Sequence, residues 1–204
     1  MIDKTLTFFQ RTIKRSFDIV ISFFGLIITL PVILIAWLVS SIETRSNGFF
    51  IQDRIGRQGK LFKVIKIKTM YRVDGVDTMI TSLNDVRITK SGAFFRKIKL
   101  DELPQLWNVL IGQMSFVGPR PDVPGYADKL LGCNRILLSI RPGITGPASL
   151  KYKDEENLLA HVEEPQKYND EVIWPDKVNI NRKYIEDYSF VKDLYYIKKT
   201  ISRL

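Results

Sequence analysis

Ile19-Val20-Ile21-Ser22-Phe23-Phe24-Gly25-Leu26-Ile27-Ile28-Thr29-Leu30-Pro31-Val32-Ile33-Leu34-Ile35-Ala36-Trp37-Leu38-Val39-Ser40-Ser41-Ile42 carries no charged side chain, and most of its positions are Ile, Leu, Val or Phe. About 20 such residues let a helix cross the hydrocarbon, so this stretch can enter a bilayer. A secretory signal fits poorly, because the apolar run is too long and no small-x-small cleavage site follows it. Pro31, near the middle, removes a helical hydrogen bond and crowds the preceding turn, which predicts a kink or break. Lys4, Arg11, Lys14 and Arg15 precede the run; Arg45, Arg54, Arg57, Lys60, Lys63, Lys66 and Lys68 follow it. Basic flanks prefer the cytoplasm, and here both flanks are basic. The simplest arrangement is a helix that enters, bends at Pro31 and returns to the same face. A straight span, with neighbours satisfying the freed carbonyls, is the alternative.

Outward from this segment, 204 residues suffice for one catalytic core plus an appendage. The formal net charge of +9 points to anionic partners: nucleic acid, an anionic membrane face, or phosphate-bearing substrates. Cys133 is the only cysteine, which excludes an intrachain disulfide and a cysteine-rich zinc site. His161 is the only histidine, so a multi-histidine metal site is impossible and a Ser-His-Asp triad could use only that residue.

Residues 62–68, Phe-Lys-Val-Ile-Lys-Ile-Lys, have nearly strict period two and read as a strand with one apolar face and one lysine face. Residues 71–86 look like a surface loop or a weak helix. Residues 100–110 read as a helix, with Asp101 and Glu102 in its first turn and Pro104 at an early position. Gly118-Pro119-Arg120-Pro121 predicts a rigid turn, and Arg141-Pro142-Gly143-Ile144-Thr145-Gly146-Pro147 predicts another loop. Residues 154–176 are acidic and read as solvated. Tyr184, Tyr188, Val191 and Tyr195 recur at helical spacing, so a C-terminal helix packs on the core or lies on a membrane surface.

Two adjacent acids at a helix start have a plain explanation, because carboxylates favour the positive end of the helix dipole. Here, however, Arg87, Arg96, Lys97, Lys99 and Arg120 lie within a short stretch of chain. Such a group suits a pyrophosphate substrate: an aspartate attacks phosphorus to give an acyl phosphate, a second carboxylate holds a divalent metal, and arginines neutralise the phosphoryl oxygens. No histidine or cysteine is needed. Arg120, between two prolines, has a restricted backbone that lets its guanidinium be aimed with little entropy loss.

Lys14-Arg15-Ser16-Phe17-Asp18, Gln52-Asp53-Arg54-Ile55-Gly56, Lys68-Thr69-Met70, Leu100-Asp101-Glu102-Leu103-Pro104-Gln105-Leu106-Trp107-Asn108, Gly118-Pro119-Arg120-Pro121 and Arg141-Pro142-Gly143-Ile144-Thr145-Gly146 together resemble the ordered motif series of the bacterial sugar transferases, the small monotopic phosphoglycosyl transferases. The resemblance covers residues 14–150 and, more loosely, the rest. It implies transfer of a sugar-1-phosphate from a UDP-sugar to undecaprenyl phosphate at the cytoplasmic face of the bacterial inner membrane, with release of UMP. By the same resemblance Asp101 is the nucleophile that becomes a phosphosugar-bearing aspartate, and Glu102, with Asp101, is associated with Mg2+. Lys68, Arg96, Arg120 and Arg141 are implied phosphate or substrate contacts. Implied partners are the UDP-sugar, undecaprenyl phosphate and membrane lipids, with downstream glycosyltransferases and a homo-oligomer left open and nucleic acid excluded.

The fold expected is α/β, mostly helical with a small sheet. Residues 1–48 would form the re-entrant membrane helix and its flanks, residues 49–150 the catalytic core, and residues 151–204 an acidic segment and amphipathic helix that complete it. Two departures from the family pattern stand out: Leu30 replaces the serine common before the helix-breaking proline, leaving Thr29 as a substitute, and Gln113 replaces an acid before Met114-Ser115. Two rival readings remain at this stage: a membrane-tethered basic module that binds nucleic acid or anionic lipid without turnover, and an interaction subunit that recruits other enzymes through the acidic segment.

Overall fold

The computed structural model describes residues 5–71 and 85–202. The fold is mostly helical with two small sheets, and one long helix runs along the rest. This helix, α1 (Phe8–Thr44), starts at a capping box in which Thr7 and Gln10 satisfy each other's free amides, and it ends at Arg45 in the left-handed region. It is long and apolar enough to cross a membrane. Helical backbone continues through Pro31, so the segment is one element rather than two. Thr29 sends its hydroxyl to the Gly25 carbonyl rather than to the Ile27 carbonyl that Pro31 leaves without its usual donor.

After α1, β1 (Phe49–Ile55) and β2 (Leu61–Ile67) form an antiparallel hairpin, pairing Phe49 with Ile67 and Ile55 with Leu61. The expected strand is present, but its lysine face needs correction. Lys66 shares the parity of Phe62 and Val64, which are buried against Val109 and Met114, while Ile67 on the other face packs on Ile33, Ala36 and Phe95 of α1 and the next helix. The strand is therefore covered on both sides, which alternation alone does not convey.

Most of the segment expected as a loop over residues 71–86 lies outside the described residues. Thr89 caps α2 (Lys90–Lys97) by accepting from the Gly92 amide. The helix expected over residues 100–110 is two pieces: a single 3-10 turn, Leu100–Glu102, and α3 (Gln105–Leu110). Lys99 in the left-handed region (φ 56°) turns the chain sharply before the acids, and Pro104 then starts the second piece.

β3 (Ser115–Val117) and β4 (Gly143–Thr145) pair in parallel. The Arg141-Pro142-Gly143 segment is thus partly strand rather than loop. The pairing is close enough that a Cβ on Gly143 would sit 2.1 Å from the Gly118 nitrogen. A three-residue strand beside proline and glycine carries only turn signals in its sequence.

The acidic region forms α4 (Pro147–Lys151), α5 (Glu155–Ala160) and α6 (Pro165–Tyr168), then a π-helical turn leading into α7 (Trp174–Glu186). Most of its acids are exposed, as expected, although Glu155 pairs with Lys177 and Asp176 with Lys151. The C-terminal tyrosine stripe does not form one helical face. The chain breaks at Asp187 and is extended at Ser189, so Tyr184 and Tyr188 enter the core, whereas Val191 and Tyr195 on α8 (Phe190–Ile201) are exposed.

The largest core cluster joins the first and last parts of the chain, with Leu6, Ile55, Val117, Leu138 and Ile140 against Val178, Tyr184, Ile185 and Tyr188. Beside it, buried Lys14 of α1 meets Asp193 of α8 at 2.6 Å, and Asp193 also accepts from the hydroxyls of Tyr184 and Tyr188. The Asp18 carboxylate accepts from the Ser115 hydroxyl and the Phe116 amide, tying α1 to β3. Further along, Ser40 donates to the Lys68 carbonyl and Glu43 accepts from the Lys90 amide at the start of α2. Both ends of α1 are therefore docked on the same globular body.

Candidate active site

The Asp101-Glu102 turn lies between the end of α2 and the start of α3. It is held against β2 from one side and the Gly118-Pro119-Arg120-Pro121 turn from the other. Glu102 is the anchored member of the pair. Its Oε1 accepts from Lys66 Nζ at 2.9 Å and from Arg120 Nη2 at 2.7 Å. Burial alone would raise its pKa, but the adjacent Arg120 and Lys66 charges outweigh burial and hold the carboxyl well below the usual carboxylate range. Arg120 itself remains half-exposed, so its guanidinium is accessible to a ligand while it holds Glu102.

Asp101 is the opposite case. Its Oδ1 is buried and makes no hydrogen bond. Burial first, and repulsion from Glu102 second, raise its pKa, against the pull of Lys66, Lys99 and Arg96. Two chemically similar neighbours are thus driven apart: one is a fixed anion paired with two cations through Oε1, and the other is a more basic carboxyl with an uncommitted oxygen.

The implied contacts divide. Arg120 touches Glu102 directly, and Arg96 lies in the electrostatic surroundings of Asp101. Lys68 does not join them; its ammonium donates to the Ser46 hydroxyl at 2.8 Å, beyond the end of β2. The lysine at the acid pair is Lys66, which the motif reading passed over. Its signal was its parity, since it projects from the same side of β2 as Phe62 and Val64. Arg141 stands at the far end of α3, where its Nε donates to the Gly112 carbonyl at 2.7 Å. Pro31 lies within α1, remote in sequence from the acid turn.

Three further residues surround the site. Arg54 donates to the Pro121 carbonyl and to Gln52, fixing the turn that presents Arg120. Asp122 has its pKa pushed up to about 7 by burial, despite Lys177, Arg54 and Arg120 nearby. Asn108 accepts from the Ile65 amide and donates to the Lys63 carbonyl, clamping α3 to β2, and it also donates to Gln113, whose place in the pattern is thereby structural.

A divalent cation fits this donor set. Mg2+ keeps several waters and takes one or two carboxylates together with substrate phosphate oxygens, and Asp101 offers a buried oxygen with no other partner. Among the described residues no cluster of three or more metal-ligating side chains forms a self-sufficient cage.

The family model for bacterial sugar transferases matches residues 9–204. A UDP-glucose:undecaprenyl-phosphate glucose-1-phosphate transferase of Klebsiella pneumoniae is 36% identical over 176 residues, which cover 83% of this chain and 37% of that relative. A putative undecaprenyl-phosphate N-acetylgalactosaminyl 1-phosphate transferase of Bacillus subtilis is 40% identical over 119 residues, covering 57% of this chain and 66% of the relative. An uncharacterized sugar transferase of the same organism, EpsL, is 33% identical over 193 residues and is matched over 87% of its length, with 94% of this chain covered. The chain thus spans little more than a third of the Klebsiella relative, whereas EpsL is matched nearly throughout. With the family match extending over nearly the whole chain, including the acid turn and both proline-glycine elements, the protein belongs to the bacterial sugar transferase family.

Proposed function

We propose that this chain transfers a sugar-1-phosphate from a UDP-sugar to undecaprenyl phosphate at the cytoplasmic membrane face, releasing UMP, through a covalent intermediate on Asp101. The observation that carries this reading is the division of labour in the acid pair: Glu102 is neutralised by Lys66 and Arg120, while Asp101 keeps a free, more basic oxygen beside it. The Asp101 carboxylate attacks the phosphorus that bears the sugar, and the bond from that phosphorus to the bridging oxygen breaks. UMP leaves with the bridging oxygen. An oxygen of the prenyl phosphate then attacks the acyl phosphate, forming the lipid-linked diphosphosugar and restoring the carboxylate. Arg120 and Arg96 neutralise charge on the phosphoryl oxygens, and Lys66 keeps Glu102 ionised and oriented. A bound Mg2+, held by Glu102 and Asp101, would supply Lewis-acid neutralisation of the diphosphate.

The same reading makes α1 re-entrant, with its axis bent at Pro31 while the helix itself continues. Its docking points from Lys14 to Glu43 are separated by roughly 40 Å of helix at 1.5 Å per residue, more than the ~30 Å hydrocarbon core. A straight span would put these points on opposite faces, yet they bind one globular body. Exposed Phe94 and Ile98 at the end of α2, and Trp107 of α3, add apolar surface on the two helices that flank the acid turn. That surface suits a site where a water-soluble donor meets a lipid acceptor.

The test is UMP release by the detergent-purified protein with Mg2+, a prenyl phosphate and a panel of UDP-sugars. At least one sugar should support turnover in the wild type and none in Asp101→Asn. Full activity of Asp101→Asn would reject the assignment.

A further inference from the structure

A second cationic site lies at the opposite end of α3 from the acid pair. Arg15 of α1 donates through Nη1 to the Val109 carbonyl at 2.7 Å and through Nη2 to the Leu110 carbonyl at 2.8 Å, closing the C-terminus of α3. Arg141 donates to the next free carbonyl, that of Gly112, so both guanidiniums flank this one glycine. Arg57, at the turn between β1 and β2, donates through Nε to the Ser139 carbonyl at 3.1 Å, two residues before Arg141.

Arg11 completes the group, one helical turn before Arg15. Core packing brings these segments together, because Leu6, Ile55 and Ile140, close in sequence to Arg11, Arg57 and Arg141, share one buried cluster. The mutual proximity is also electrostatic. Burial first, then the charges of Arg11 and Arg141, lower the pKa of Arg57; burial first, then Arg15, lowers that of Arg141.

None of these four arginines forms an ion pair among the described residues. Asp18, whose charge reaches Arg15 and Arg141, accepts from Ser115 and Phe116 through Oδ1 and makes no ion pair with any of the four among the described residues. Among the described residues Arg57 and Arg141 spend only Nε on carbonyls and their terminal nitrogens make no hydrogen bond, and the Nε of Arg11 is buried without a partner. Converging like charges cost free energy unless an anion joins them. A phosphate matches the forked donors that remain.

The position selects the source of that phosphate. Arg15 stands one turn before the uncharged run begins, at the depth where a helix meets lipid headgroups. Phe8 and Phe9, on the first turn of α1, are 87% and 72% exposed, and Ile111 is exposed beside Gly112. Aromatic anchors next to arginines are the pattern of a membrane interface. The site is separated from Asp101 by the length of α3, about 9 Å at 1.5 Å per residue. A phosphate held there is not the one being transferred.

We infer that Arg11, Arg57 and Arg141, with Arg15 behind them, form a headgroup site for an anionic phospholipid that seats the base of α1 in the bilayer without entering the reaction. The choice of a lipid rests on the membrane reading proposed above. The test is native mass spectrometry and thermal unfolding of the detergent-purified protein with phosphatidylglycerol, phosphatidylcholine, a short prenyl phosphate or inorganic phosphate. Phosphatidylglycerol should be retained and should raise the unfolding temperature where phosphatidylcholine does not. Arg11→Gln and Arg57→Gln, made separately and together, should weaken that retention at least tenfold, with UMP release in lipid-free detergent unchanged. Lys198→Gln with Lys199→Gln, on α8, should leave retention intact.

Equal retention by the Arg11 and Arg57 variants, or no preference over phosphatidylcholine, overturns the site. Stronger arginine-dependent binding of the prenyl phosphate, or a response to inorganic phosphate alone, overturns the phospholipid assignment. Because UMP release is read separately, failure of the lipid site and failure of the proposed reaction give different results.

Discussion

The Lys66 ammonium donates to Glu102 Oε1 at 2.9 Å, from the same side of β2 that buries Phe62 and Val64. The pair joins a strand to the acid turn across 36 residues of sequence and is mostly shielded from water. Arg120 reaches the same oxygen from the other side, so Glu102 sits between two cations.

Lys66→Met should reduce UMP release by roughly 100-fold, about the value of one charged hydrogen bond in a shielded site. Lys68→Met, which removes only a contact to the Ser46 hydroxyl, should change it by less than about threefold. Steady-state assays of the two variants side by side decide the matter. A larger loss from Lys68→Met would return the role to the motif lysine.

The Lys14–Asp193 pair is expected to hold the two ends of the chain together. Lys14→Met leaves a buried Asp193 with only tyrosine hydroxyls as partners, and should destabilise the fold by about 3–5 kcal/mol. Lys192→Met, which breaks a pair with exposed Asp187, should cost less than about 1 kcal/mol. Denaturant unfolding in detergent measures both; equal losses would show that burial of the pair carries no weight.

Asp122 gives a pH signature. Burial pushes its carboxyl up to about 7 in the folded protein, against about 3.9 for an unfolded chain. Between about pH 4 and 7 the folded state holds a proton that the unfolded state releases, so stability falls as pH rises through that window and the cost is complete above it. Asp122→Asn is neutral throughout. It should unfold at a higher temperature than wild type at pH 8 and at nearly the same temperature at pH 4.5. A difference of equal size at both pH values contradicts the assignment.

Gly143→Ala should disrupt the β3–β4 pairing, because its Cβ would lie 2.1 Å from the Gly118 nitrogen and 2.5 Å from the Thr145 carbonyl oxygen. Backbone on both sides cannot yield as a flexible side chain would. A loss of about 2–4 kcal/mol follows, together with reduced UMP release, since the Arg120 turn continues directly from β3. Thermal unfolding and the activity assay should fall together; an unchanged variant would mean that the strands are not in register.

The sequence made the long apolar helix, the β2 strand and the acid pair legible because each carries a local signal: an uncharged run, alternation, or adjacent carboxylates beside cations. β4 carries the signals of a loop, because the contacts of the β3–β4 pairing join residues far apart in sequence and three residues beside proline and glycine imitate a turn. Tyr184, Tyr188, Val191 and Tyr195 kept helical spacing across a break at Asp187 that spacing cannot detect. The roles of Lys66 and Arg141 were obscured for a related reason. Which lysine reaches Glu102 depends on where β2 ends, and which end of α3 receives Arg141 depends on the parallel pairing.

The central claim is that Asp101 carries the sugar-phosphate between donor and acceptor. Intact-mass and peptide mass spectrometry of the wild type, incubated with Mg2+ and its UDP-sugar but no acceptor, addresses it most directly. The protein should gain the mass of one sugar-phosphate on the peptide containing Asp101, lose it when a prenyl phosphate is added, and show no gain in Asp101→Asn. An adduct on another residue, or an equal adduct on Asp101→Asn, would contradict the account.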